Sequence, residues 1–214
     1  MTEDNYSVYS DRLRLVFLLD ACQAADLAPV PIRRFHALAF LANILAPVWS
    51  ERSFDGKILK RSGGPYYPDL QYELDRLVGL GIVTTHGVGH VKDQGRWRLD
   101  GAFALSETRA RPIIEWASAF VGERATIGFF RRLAFAVSRL AFPIEDIVTL
   151  DVTWADRRTG TGDVIDFSEW QVANYSAAAA TYFENVSPHG IKMSRGDKLQ
   201  LYMRLLERRA HASS

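Results

Sequence analysis

Lys57–Val83 reads KILKRSGGPYYPDLQYELDRLVGLGIV, and the fold turns on how this stretch is interpreted. Lys57, Lys60 and Arg61 precede a glycine pair, two prolines flank two tyrosines, and an amphipathic run then stops at glycine. Three readings compete: a phosphate cradle, a turn that places a helix in a DNA groove, and a corner of a packed domain. A P-loop needs a strand, then a glycine-rich loop that ends in Lys followed by Ser or Thr at a helix start. Here the basic residues come before Gly63 and Gly64, and Pro65 and Pro68 remove two backbone donors that would point at a phosphate. The glycines are better explained as a turn that sets the following helix. That helix is expected from about Pro68 to Val78, with Leu70, Leu74, Leu77 and Val78 on one face and Gly79 and Gly81 ending it. Its other positions hold Asp69, Gln71, Glu73, Asp75 and Arg76. A base-reading helix wants Arg, Lys, Asn or Gln there, whereas this set repels phosphate.

Outward from this stretch, Tyr9 to about Ala25 has the spacing of an amphipathic helix. The run through about Leu45, entered by way of Pro29 and Pro31, is apolar on nearly every side and belongs at the domain centre. Downstream, IVTTHGVGHV and GRWRLDGAFAL read as two strands around a polar turn at KDQG. Helix, turn, helix and hairpin is a winged-helix order. From Ser106 the helices ETRARPIIEWASAFVGE and GFFRRLAFAVSRLAF follow, then an irregular segment from Pro143 to Trp170, then YSAAAATYFENV and GDKLQLYMRLLERRA. The expected fold is mainly α with a small β-hairpin: a winged-helix-like half over 1–105 and a helical half over 106–214. No flexible linker separates the halves, so they are expected to pack as one unit.

The 214 residues carry a formal net charge of +1, with 48% hydrophobic and 24% charged residues. This balance argues against a surface built throughout to grip nucleic acid, while leaving room for a local basic patch. Lys57, Lys60 and Arg61 in the turn, with Lys92, Arg96 and Arg98 in the hairpin, are the candidate DNA-backbone contacts. Cys22 is the only cysteine, which excludes an intrachain disulfide and is expected to be a buried thiol. The N-terminus MTEDNYSVYS is the reverse of a signal peptide, and no apolar run approaches a membrane span, so a cytoplasmic location is expected.

The residue types that carry chemistry do not assemble into a motif. His86 and His90 are four apart, but the glycines and valines of THGVGH make this a strand, where the pair does not share a helix face. His36, His189 and His211 have no evident partners. Asp151, Asp156, Asp163, Asp166 and Glu169 cluster around DVTWADRRTGTGDVIDFSE without calcium-loop spacing, and read as a solvated loop with Arg157 and Arg158. Neither a nucleophile elbow nor a dinucleotide fingerprint occurs. The expectation is no catalytic, metal or cofactor site. The aromatic helix GFFRRLAFAVSRLAF, with Phe129, Phe130 and Leu133, serves either as a partner interface or as core.

The basic KILKRSGG, the helix ending RLVGLGIV, the hairpin closing on FALSE and the helix RPIIEWASAF together resemble the middle component of bacterial three-component ABC/SMC-ATPase anti-phage defence systems, the Lamassu type. The resemblance covers about Asp11 to Phe120. It implies an accessory subunit without its own catalysis, joined to an SMC-like coiled-coil ATPase that senses DNA and to an effector, often a nuclease. It supplies no catalytic residue to carry over. Two other readings stand beside it. One is a winged-helix transcriptional regulator that dimerises through its C-terminal helices. The other is an enzyme using the acidic segment, with Asp163 and Asp166 in the leading roles.

Overall fold

A computed structural model describes residues 3–93, 95–166, 174–186 and 192–213. In chain order they form α1 (Glu3–Ala24), β1 (Val30–Pro31), α2 (Ile32–Trp49), β2 (Lys57–Arg61), β3 (Gly64–Tyr66), α3 (Pro68–Gly79), β4 (Val83–Asp93) and β5 (Arg96–Leu105). There follow α4 (Glu107–Ala117), α5 (Val121–Ser138), α6 (Ile144–Ile147), a 3-10 turn (Val148–Leu150), β6 (Val164–Asp166), α7 (Tyr175–Tyr182) and α8 (Arg195–Ser213). The described chain is mainly helical, with two small antiparallel sheets of strand order β1-β5-β4 and β3-β2-β6. No described helix is long and apolar enough to cross a membrane.

Helix α2 is the axis of the core, as its all-round apolar sequence demands. Every residue from Phe35 to Ala46 is buried. A helix so enclosed must satisfy its polar side chains internally. Asn43 does so against the chain just beyond the helix: its Nδ2 donates to the Phe54 carbonyl at 3.3 Å and its Oδ1 accepts from the Phe54 N–H at 2.7 Å. Helix α1 lies against α3, α5 and β5, and α7 and α8 pack against α2. One hydrophobic cluster runs from Leu15 to Ala210. Cys22 is fully buried within it, and burial pushes its thiol up to about 12.

The stretch expected to be a turn is instead a β-hairpin. Strands β2 and β3 pair Leu59 with Tyr66 and Arg61 with Gly64, leaving only Ser62 and Gly63 at the tip. Gly64 adopts φ +110°, a conformation that any side chain would strain. Strand β6 then adds to the free edge of β2, pairing Ile58 with Ile165. The acidic segment, expected to be a solvated loop, therefore contributes a strand to the first half of the chain. Helix α3 ends as expected: Gly81, at φ +69°, lets its own N–H reach the Val78 carbonyl and the Ile82 N–H reach the Leu77 carbonyl.

Candidate functional site

Of the basic residues proposed for DNA contact, the hairpin divides three by strand parity. Successive side chains on a strand point to opposite faces. Ile58 and Lys60 face inward, Lys57 and Arg61 outward. Lys60 is 8% exposed; its ammonium donates to the carbonyl and hydroxyl oxygens of Thr159 at 2.6 and 3.3 Å and to the Asp156 carbonyl at 3.3 Å, and it lies 5.5 Å from the Trp154 ring. Lys60 thus holds the 156–159 loop to the hairpin and is not presented to a ligand. Arg61 is exposed and stacks on Tyr66 at 3.7 Å, and Lys57 lies 3.8 Å from Asp166. Lys92 is exposed on β4; Arg96 and Arg98 belong to β5, and their side chains lie outside the described residues.

Helix α3 is less acidic on its outer face than its sequence suggests. Gln71 and Glu73 are buried. The Arg12 guanidinium on α1 meets Glu73 Oε2 from Nε at 2.7 Å, an ion pair that ties α1 to α3. What α3 presents outward is Asp69, Tyr72, Asp75 and Arg76. Gln71 bridges inward and outward, donating to Asp75 at 2.8 Å and contacting His36 Nε2 at 3.2 Å. His36, without an evident partner in the sequence, has two in the fold. Its Nδ1 accepts the Tyr67 N–H at 3.3 Å, so the ring proton resides on Nε2 and is donated to Gln71. Burial holds this imidazole down to about 3, and it remains neutral.

The acidic segment does not converge. Asp151 is fully buried, accepting from the N–H groups of Thr153 and Trp154 at 2.8 and 3.0 Å, from the Ser176 hydroxyl at 2.9 Å and from the Tyr202 hydroxyl. Burial raises its carboxyl above the ordinary range, and these donors oppose the rise. Asp156 is held low by its hydrogen bonds to Arg158. Asp163 accepts the Gly160 N–H at 2.5 Å, and Asp166 faces Lys57. Asp151 ties its turn to α7 and α8, whereas Asp156 and Asp163 cap turns of their own loop and Asp166 faces Lys57 across the β2–β6 pair; Glu169 lies outside the described residues. His86 and His90 sit on β4 on either side of a bulge, with His86 next to Thr84 Oγ1 at 3.2 Å. His211 rests against Phe142, and His189 lies outside the described residues. Among the described residues no three His, Cys, Asp or Glu side chains are grouped to hold a metal ion.

The aromatic helix α5 is resolved by burial. Phe129, Phe130 and Leu133 are fully enclosed, with Phe130 stacked on Phe54 and Phe129 against Trp49. They form core, not a partner surface. Phe135 of the same helix is exposed, and two further exposed aromatics meet where α4 leads into α5. Trp116 and Phe120 are 64% and 49% exposed with their rings 5.0 Å apart, and Val121 beside them is 75% exposed. The periodicity of α4 carried the signal: Ala110, Ile114 and Ala117, at i, i+4 and i+7, form the inward seam and leave Trp116 off it. A shallow groove of about 360 Å³ is lined by Asp20, Ala110, Arg111, Ile114 and Arg131 among others, and Trp116, Phe120 and Val121 take no part in its lining.

No protein-family model matches the chain, and no curated protein matches it significantly.

Proposed function

We propose that this chain is a non-catalytic subunit of a DNA-sensing, SMC-like ATPase defence complex, bridging the ATPase and an effector through protein interfaces. The observation that carries the reading is the Trp116–Phe120–Val121 corner. Large aromatics in mutual contact and open to water are uncommon on a monomer and enriched where partners dock. Both belong to RPIIEWASAF, one of the motifs on which the resemblance to the middle components rests. The non-catalytic reading draws support from where the buried titratable groups go: His36, Asp151 and Lys60 each hold one part of the fold to another.

The first half reads as a winged helix with a hairpin inserted between its second and third helices. Its support is the sheet order β1-β5-β4, in which the short strand before α2 joins the hairpin after α3. A winged-helix regulator would read an operator through α3, and the outward Asp69 and Asp75 oppose that use.

Co-expression with the ATPase and effector of its own operon tests the proposal. The expected result is one complex on size exclusion, lost in a Trp116→Ser, Phe120→Ser double variant whose melting temperature stays within about 3 °C of wild type. A wild-type chain that elutes alone overturns it.

A further inference from the structure

The charge of this near-neutral chain is segregated. Helix α5 with the adjoining Arg139 carries Arg124, Arg131, Arg132 and Arg139 against Glu123, and α8 carries five basic residues against Asp197 and Glu207. The two helices therefore hold a formal +6 in a chain of net +1, and the remainder is net acidic. They also lie side by side and run in the same direction. Gly196 at the start of α8 sits by the Arg132 guanidinium, while Glu207 accepts the Ala141 N–H at 2.7 Å and His211 meets Phe142 just beyond α5.

Helical spacing sets the exposed residues into two adjacent stripes. On α5, Arg132, Phe135 and Arg139 fall at i, i+3 and i+7 and all face solvent. On α8, Glu207 and His211 turn toward the end of α5, which leaves Arg204 and Arg208, one turn apart, flanking that line on the solvent side. Arg139 lies over the ring of the exposed Phe135 at 5.5 Å. Among the described residues no carboxylate forms an ion pair with Arg139, Arg204 or Arg208, and Asp197, which accepts from the Ser194 hydroxyl, lies near Arg132. Four guanidiniums on one open face form a polyanion footprint.

We propose that the α5–α8 face binds the sugar–phosphate backbone of a nucleic-acid duplex without reading sequence. Single-strand binders present rows of aromatics for base stacking; this face has Phe135 alone among the arginines, and Arg139 covers it. The surface is distinct from the β2–β3 hairpin and from the α4 corner, so the inference does not depend on membership of an ATPase complex.

Fluorescence anisotropy of the full chain with a labelled 20-base-pair DNA duplex tests it, with a duplex RNA and a single strand of the same length as parallel arms. Four phosphate contacts predict a log–log salt slope near about −3.6, so binding weakens about 50-fold between 50 and 150 mM salt. The variant Arg139→Gln, Arg204→Gln, Arg208→Gln alters only exposed side chains; it is expected to lose at least about 10-fold in affinity at 50 mM salt and about 2.7 of the slope. Lys57→Gln, Arg61→Gln serves as the basic-surface control and is expected to change affinity less than about 2-fold. Equal binding of both duplexes supports backbone recognition, and tighter binding of DNA duplex than RNA duplex narrows it to B-form geometry. No duplex binding at 50 mM salt, tighter binding of the single strand, or loss in the hairpin control but not in the arginine variant would each overturn the proposal.

Discussion

Acidification should separate two buried groups that respond with opposite sign. His36 is depressed from 6.5 to about 3 by burial, with its Nδ1 already occupied by the Tyr67 N–H. Protonation would set two donors against each other inside the core. The unfolded chain has no such bar, so the stability this histidine confers is complete above pH 6.5 and lost as pH falls toward 3. From pH 7.5 to 5.0 the loss is about 2 kcal/mol, at about 1.36 kcal/mol per unit of pKa difference. Asp11 on α1 does the reverse. Burial raises it from 3.8 to about 6 despite the Arg52 ion pair at 2.6 Å and the Asp55 N–H at 2.9 Å. Its proton is held more tightly in the fold, so stability rises as pH falls through 6 toward 3.8, by about 1.4 kcal/mol over the same interval. Urea unfolding at pH 7.5 and 5.0 resolves the two contributions when variants are compared with wild type. His36→Gln should remove the loss, making its change on acidification about 2 kcal/mol more favourable than that of wild type. Asp11→Asn should remove the gain, making its change about 1.4 kcal/mol less favourable. Carboxylates elsewhere affect all three proteins alike and cancel in the comparison. If wild type and His36→Gln shift by the same amount within about 0.5 kcal/mol, the buried neutral imidazole is refuted.

Asp151→Ala should destabilise by about 3 kcal/mol or more in urea unfolding, because it strands the Tyr202 hydroxyl and two backbone N–H groups and leaves the Ser176 hydroxyl with Thr153 alone. Tyr202→Phe, which leaves the other donors in place, should cost about 1 to 2 kcal/mol. If these changes are neutral for stability while the system's activity disappears, the acidic segment is an active site after all. Lys60→Met keeps the aliphatic stem but leaves the Thr159 and Asp156 carbonyls without their ammonium, and should cost about 1 to 2 kcal/mol; the exposed neighbour variant Lys57→Gln should stay within about 0.5 kcal/mol. Equal costs for the two would contradict the inward placement of Lys60.

The secondary structure was written locally. The apolar run of α2, the glycine stop after α3 and the two strands around KDQG follow from periodicity and turn chemistry, and the structure places elements at all three. The hairpin β2–β3 reads locally as a turn because basic residues precede two glycines, although KILKR has the period of a strand with Ile58 inward, and the same parity turns Lys60 inward. Strand β6 had almost no local signal. It is three residues in a polar loop, and only the exposed edge of β2, more than a hundred residues earlier, makes it a strand.

The sequence by itself determined that α2 must be central and that α3 stops at its glycines, because those properties depend on neighbours within one or two turns; the break between α4 and α5, inside a run expected as one helix, came only with the fold. Only the tertiary structure decided which charges face inward. Glu73 is buried because Arg12 comes from α1 to meet it, Lys60 because the 156–159 loop brings carbonyls to its ammonium, and Asp151 because Tyr202 arrives on α8. A charge can leave water only where the chain returns a partner from far away. That same dependence left Trp116, Phe120 and the α5–α8 arginines outside.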